Sequence, residues 1–264
     1  MSALDPSNIK QNLFSLFKSG QYTLVIERAK KFCKNTSNDP EIWNLLGAAH
    51  TKLQELDKAT LAFRRVTNLT PFDADAYFNL GKVLASIHQT DEAKKVYKKA
   101  IKIDPNHFKT FYNLAVLFKE QGETTNSLNA LYNTIKLQPN FPQAYNNLGS
   151  LLGELNQFSR SEQAFKKAIA LKPDYVEAVR NLGKVFQSQG KLNEAVKTYK
   201  KALLLKPNSA ETHNHMGIAL QDQGKLEEAT ASLERAIALE PDFAQAYNNM
   251  GNALQNHGSL EVAI

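Results

Sequence analysis

Apolar residues recur along this chain with two nested periods. Within 74–86, Tyr77, Leu80, Gly81 and Leu84 stand at i, i+3, i+4 and i+7, the spacing that puts side chains on one face of an α-helix. The same spacing returns with Ala93, Val96, Tyr97 and Ala100. The stretch between, Ser86 to Asp91, is largely polar, and an Asp104-Pro105 step follows the second run. Proline cannot continue a helix in progress but suits the turn before a new one. The pattern predicts two amphipathic helices packed as an antiparallel pair.

The longer period is 34 residues: Pro71, Pro105, Pro139, Pro173, Pro207 and Pro241 are each that far from the next. Eleven of the twelve glycines fall on two phases of this period. One phase holds Gly47, Gly81, Gly149, Gly183, Gly217 and Gly251; the other holds Gly20, Gly122, Gly190, Gly224 and Gly258. Only Gly153 is off register. With Pro40 as position 1, full units run 40–73, 74–107, 108–141, 142–175, 176–209 and 210–243. Counting backward leaves a degenerate unit at 6–39, so residues 1–39 read as an N-terminal cap, with Asp5-Pro6-Ser7 as its helix start. Counting forward leaves a partial unit, 244–264, that stops at position 21, inside its expected second helix. A terminal repeat needs a polar outer face, so this end reads as part of a longer chain or as a surface that pairs with another molecule. Self-similarity at a fixed period marks a linear array, in which each unit buries its apolar faces against its neighbours.

Small residues have a mechanical place in each unit. Position 8 is glycine in six of the seven units from Pro40 onward and Ala115 in the other. Position 20 is Ala59, Ala93, Ser127, Ser161, Ala195, Ala229 and Ala263. Glycine inside a helix costs about 1 kcal/mol relative to alanine, so its recurrence implies a close helix–helix approach that offsets the cost. Large residues fill the seam: Trp43, Tyr77, Phe111 and Tyr145 at position 4, and Leu46, Leu80, Leu114, Leu148, Leu182, Met216 and Met250 at position 7.

Trp43-x-x-Leu46-Gly47, then Ala59-x-x-x-Phe63, then Pro71 resembles the tetratricopeptide repeat. Unit 74–107 resembles it more closely, with Tyr77, Leu80, Gly81, Ala93, Tyr97, Ala100 and Pro105. Unit 108–141 departs at Ala115, Ser127, Leu131 and Thr134, and unit 6–39 retains Leu16, Gly20, Tyr22 and Ala29 but little else. The resemblance implies an all-α solenoid of antiparallel helix pairs wound into a right-handed superhelix. First helices would line its concave face and second helices its convex face. It further implies binding of a peptide or partner protein in the concave groove, with no chemistry of the chain's own.

Position 6 of the first helix is Asn79, Asn113, Asn147, Asn181, His215 and Asn249, with Leu45 in unit 40–73. It lies off the apolar stripe of positions 4, 7, 8 and 11, so it is expected to face the groove. Asparagine is about 0.5 kcal/mol worse than alanine in a helix, and five in register call for a reason. A carboxamide offers one acceptor and two donors, enough to pair with both C=O and N–H of an extended backbone. First helices about 10 Å apart and a chain advancing about 3.3 Å per residue would let one asparagine hold every third peptide residue. The ladder resembles the one lining the tetratricopeptide superhelix of O-linked N-acetylglucosamine transferases, which hold acceptor proteins by their backbone. The other reading is that asparagine here belongs to the repeat framework and supports neighbouring side chains. Groove positions 5 and 9 vary, as specificity residues do: Tyr112, Asn146, Arg180 and Asn214 at position 5, and Lys82 and Lys184 at position 9, join His215 as candidates. The resemblance offers a second mode, the capture of a C-terminal carboxylate by chaperone-binding domains. It needs Lys at position 5 with Asn at position 9, and no unit has that pair.

Charge and cysteine content narrow the function classes. The net charge is +6, with +12 over residues 1–209 and −6 over 210–264. The lysines fall largely on second helices without interleaved exposed aromatics, so nucleic acid is not an expected partner. The opposite signs leave self-association open. One cysteine, Cys33, excludes an intramolecular disulfide and any multi-cysteine metal site, and it sits at an apolar helix position, as a buried thiol. There is no Walker loop and no nucleophile elbow. His213 and His215, two apart on one helix, cannot chelate together. No stretch approaches 18 apolar residues and no secretory leader is visible, so the expected setting is cytoplasmic, with no membrane contact. The expected function is protein–protein interaction through an extended peptide, with no cofactor and no catalysis within this chain. Two alternatives stand beside it. One is a docking arm of a larger glycosyltransferase- or sulfotransferase-like enzyme with catalysis beyond Ile264. The other is a self-assembling scaffold.

Overall fold

The computed structural model describes residues 6–35 and 38–261, without the side chains of 6, 7, 34, 35 and 256–261. Among these residues there are only helices and turns. They are α1 (Pro6–Lys18), α2 (Tyr22–Asn35), α3 (Pro40–Lys52), α4 (Leu56–Leu69), α5 (Ala74–Ser86), α6 (Thr90–Ile103), α7 (Phe108–Glu120) and α8 (Thr124–Leu137), followed by α9 (Pro142–Glu154), α10 (Phe158–Leu171), α11 (Val176–Ser188), α12 (Leu192–Leu205), α13 (Ala210–Asp222), α14 (Leu226–Leu239) and α15 (Ala244–Glu261). The chain forms two compact units, 1–137 with α1–α8 and 138–264 with α9–α15. In the first, each odd helix packs against the even helix after it, and α2, α4 and α6 pack against α3, α5 and α7. In the second, α9, α11 and α13 pair with α10, α12 and α14, which in turn pack against α11, α13 and α15. Each unit is a tetratricopeptide-type stack of helix pairs.

The position-8 glycine is a socket for a ring or branched side chain at position 24. A Cβ on Gly47 or Gly149 would lie 2.9 Å from the ring of Phe63 or Phe165, and one on Gly183 would lie 2.5 Å from Tyr199. Gly81 meets Tyr97 and Gly217 meets Leu233 in the same way. Unit 108–141 has Ala115 in the socket and the smaller Leu131 opposite, both buried. Position 20 is fully buried at Ala59, Ala93, Ala195 and Ala229. Where it is serine, the hydroxyl is satisfied across the pair: Ser127 Oγ donates to the Ala115 carbonyl at 2.8 Å and Ser161 Oγ to that of Gly149 at 2.6 Å. Thr134, the other polar departure, donates to the Ala130 carbonyl at 2.8 Å. Cys33 is buried beside Leu13, Val25 and Ile42.

Every complete first helix ends in the same turn. Position 15 is left-handed throughout: Gly20, Gly122, Gly190 and Gly224 with φ of 71–78°, and Gln54, His88 and Asn156 with φ of 58–61°. The next amide donates back five residues, as Gln89 N–H does to the Leu84 carbonyl at 2.9 Å and Lys191 N–H to that of Phe186 at 2.9 Å, the Schellman pattern. First helices start on side-chain caps at Asp39, Asp73 and Ser209.

The last segment differs from expectation. The turn anticipated near Gly258 is absent, and α15 runs unbroken through it to Glu261. Gly251 has no side chain in its socket among the described residues. Tyr247 and Leu254 are about half exposed at positions buried or partly buried in other units. Asp5, Ala263 and Ile264, which entered the sequence reading, lie outside the described residues.

Candidate functional site on the first helices

Positions 4, 7, 8 and 11 turn inward, which leaves 2, 5, 6 and 9 along the line where one first helix meets the next. There position 5 of one repeat reaches positions 2 and 6 of the following repeat. Asn79 donates its Nδ2–H to Asn44 Oδ1 at 3.3 Å, Asn181 to Asn146 Oδ1 at 3.3 Å, and Asn249 to Asn214 Oδ1 at 2.8 Å. Asn146 in turn donates to Glu177 Oε1 at 3.1 Å. Lys10 and Glu41 make the same position 5 to position 2 contact at 2.8 Å, and Arg180 and Glu211 make it at 2.7 Å. Asn79, Asn181 and Asn249 are therefore links between repeats as well as half-buried groups.

This corrects two of the expected contact residues. Asn146 and Asn214 are 1% and 0% exposed, so neither faces an open groove. A carboxamide placed between two first helices is closed over by both, and its work is to hold the rung after it. Among the described residues Nδ2 of Asn214 has no partner: position 2 of the next repeat is Gln245, where Asn146 meets Glu177. The other candidates lie nearer the surface. Asn79, Asn113, Asn147, Asn181, Asn249, Tyr112, Arg180 and His215 are half-buried, and Lys82 and Lys184 are exposed. Asn113 has Phe78 rather than an asparagine before it, and its carboxamide bonds the Tyr97 hydroxyl instead. Burial pushes the Tyr97 and Tyr199 hydroxyls well above the usual phenol range, so both stay protonated.

His215 replaces asparagine where Arg180 replaces it one repeat earlier. Its ring stacks on Tyr199 with centroids 6.0 Å apart, and its Nε2 is 3.6 Å from Glu211. Burial, then the Lys184 charge, holds it down to about 4 against the pull of Glu211. The imidazole is neutral at neutral pH, with one donor and one acceptor, one donor fewer than a carboxamide. Sequence reasoning passed over Glu177 and Glu211; their signal was the acid at position 2 in Glu41, Asp75, Glu177 and Glu211. Among the described residues no group of three or more His, Cys, Asp or Glu side chains is placed to hold a metal ion. None of the described helices is long and apolar enough to cross a membrane.

Family profiles described as tetratricopeptide repeat match residues 40–73, 74–107, 96–128 and 142–175, and one described as TPR repeat matches 183–224 and 219–258. The chain belongs to the tetratricopeptide repeat family. No curated protein matches this tetratricopeptide chain. Among solved structures it is similar to the C-terminal part of a TPR repeat-containing protein from Cytophaga hutchinsonii (18% identity, 91% of this chain and 99% of that one, TM-score 0.72). It is also similar to MamA (27% identity, 65% and 94%, TM-score 0.59). A third is YrrB, described as a TPR protein with an unusual peptide-binding site (21% identity, 71% and 96%, TM-score 0.61).

Proposed function

We propose that this tetratricopeptide array is a protein-interaction module that holds an extended peptide segment by its backbone, through the position-6 rungs of its first helices. One observation carries the reading. Asn79, Asn181 and Asn249 each spend a single N–H on the preceding repeat, which leaves the carbonyl oxygen and the second N–H without a partner among the described residues. The neighbour's bond fixes the carboxamide plane, so the remaining donor and acceptor are pre-oriented and binding loses less side-chain freedom. In the first unit the rungs are Asn79 and Asn113; in the second they are Asn147, Asn181, His215 and Asn249. Tyr112, Arg180, Lys82 and Lys184 flank them and would read peptide side chains. YrrB, with the same fold, is a protein described as having a peptide-binding site.

A peptide-library screen tests this on the wild type, on Asn79→Ala/Asn113→Ala/Asn181→Ala, and on Asn44→Ala. The last breaks the link at Asn79 from the far side and keeps every rung. The triple variant is expected to bind captured peptides at least tenfold more weakly, about 1 kcal/mol per lost hydrogen bond, while Asn44→Ala, which gives up only the pre-orientation of one rung, weakens them by much less. Equal binding by wild type and triple variant would assign the ladder to repeat stacking alone.

A further inference from the structure

We propose that the junction between repeats 74–107 and 108–141 receives the carboxylate of an acidic peptide, between Lys82 and Lys109 and against the Phe78 ring. The inference rests on the groove reading above and adds the ligand's chemistry. At the other junctions where position 2 contacts position 5 of the repeat before, the contact supplies a carboxylate: Glu41 to Lys10, Glu177 to Asn146 and Glu211 to Arg180. At this junction the pattern inverts. Position 2 is Lys109, and position 5 is Phe78, which has no polar atom to offer. Lys82, one turn beyond Phe78 on α5, sets its Nζ over the ring at 5.7 Å from the centroid. Lys82 and Lys109 are both exposed, and among the described residues neither forms an ion pair. Asp75, the acid on the same helix face, is engaged by His107 Nε2 at 3.1 Å, and the His107 ring packs on Phe78 at 5.1 Å between centroids.

One ammonium group thus lies over a half-buried ring, and a second stands at the position that in other repeats meets position 5 of the repeat before, on the two helices that carry the rungs Asn79 and Asn113. A peptide held by those rungs would bring a side chain over Phe78. The methylenes of an aspartate or glutamate would lie on the ring and its carboxylate between the lysines, supplying the negative charge that Glu41, Glu177 and Glu211 provide at their junctions. A free C-terminal carboxylate has the same chemistry, and peptide design separates the two sources.

The probes are nonapeptides, N-acetylated and C-amidated, with Glu or Gln at each position in turn. A parallel set carries Gln throughout and a free C-terminus. Fluorescence anisotropy reads their binding to the wild type and to Lys82→Gln/Lys109→Gln, whose fold is checked by circular dichroism. The wild type is expected to prefer Glu over Gln at one position by roughly five- to tenfold, the scale of two exposed ion pairs. The double variant binds both alike. A preference that follows only the free C-terminus identifies the terminal carboxylate as the ligand. If peptides bind with no acid preference, or the preference survives in the double variant, this inference falls and the groove reading stands. If no peptide of any set binds, the groove reading itself falls.

Discussion

Single residues set the distance between helices. A ring at position 24 sits where a Cβ at position 8 would be, so the pair closes only with hydrogen at position 8 or a smaller side chain opposite. Gly183 with Tyr199 is the first solution, and Ala115 with Leu131 is the second. His215 shows a side chain whose state is set by its surroundings. In the folded chain it stays neutral down to about 4, while the ordinary imidazole value is 6.5. Between those values the unfolded chain binds more protons, so this residue's share of stability is intact above about 6.5 and is lost as the pH falls toward 4. His215→Asn, which restores the carboxamide of the other repeats, is expected to lose less stability between pH 7 and pH 5 than the wild type. Urea midpoints at the two pH values check it, and equal losses would contradict it. His213, also lowered by burial, contributes in the same direction in both proteins.

At the scale of the element, the turn between the two helices of a pair carries a fixed cost. Its left-handed residue is glycine in four repeats and Gln54, His88 or Asn156 in the other three. A non-glycine residue there gives up about 1–2 kcal/mol, and asparagine tolerates it best. His88→Gly is expected to stabilise the chain by up to about 1 kcal/mol, because glycine's greater unfolded entropy returns part of the gain. Asn156→Gly is expected to gain less. Thermal unfolding of the two variants tests the ranking, and a loss in His88→Gly would mean that its side chain does more than occupy the turn. The glycine phase was visible in the sequence; Gln54 carries no left-handed signal, whereas Asn156 and His88 are residue types enriched in that region, a signal that spacing alone did not single out. Gly258, in the same phase, does not form the turn at all and stays inside α15.

At the scale of the molecule, repeats are coupled by packing and by the position 5 contacts. Stability in such arrays is roughly a sum of repeat and interface contributions, so a defect at one junction is local and repairable. The buried Nδ2 of Asn214 is such a defect, because Gln245 stands where Glu177 satisfies Asn146. Gln245→Glu is expected to add about 1 kcal/mol. A double-mutant cycle with Asn214→Ala separates the new bond from the benefit of an acid in the first turn of α15. A gain that persists without Asn214 would place the effect in the helix dipole instead.

What the sequence determined by itself was everything periodic: the helix pairs, the 34-residue step, the glycine sockets, and the register that brings Asn79, Asn113, Asn147, Asn181 and Asn249 to the same helix face. These follow from spacing alone, since 3.6 residues per turn settles which side chains share a face. Only the tertiary structure decided what each groove residue meets. Asn146 and Asn181 are the same residue type at adjacent positions in the repeat, yet one is sealed between helices and the other half-exposed. Their difference arises from the stacking of one first helix on the next, which brings together residues 31 and 35 apart in the chain. Helical periodicity carries no information over that distance. The same stacking turned Asn79, Asn181 and Asn249 into rungs tied to their neighbours, and set Lys82 over Phe78.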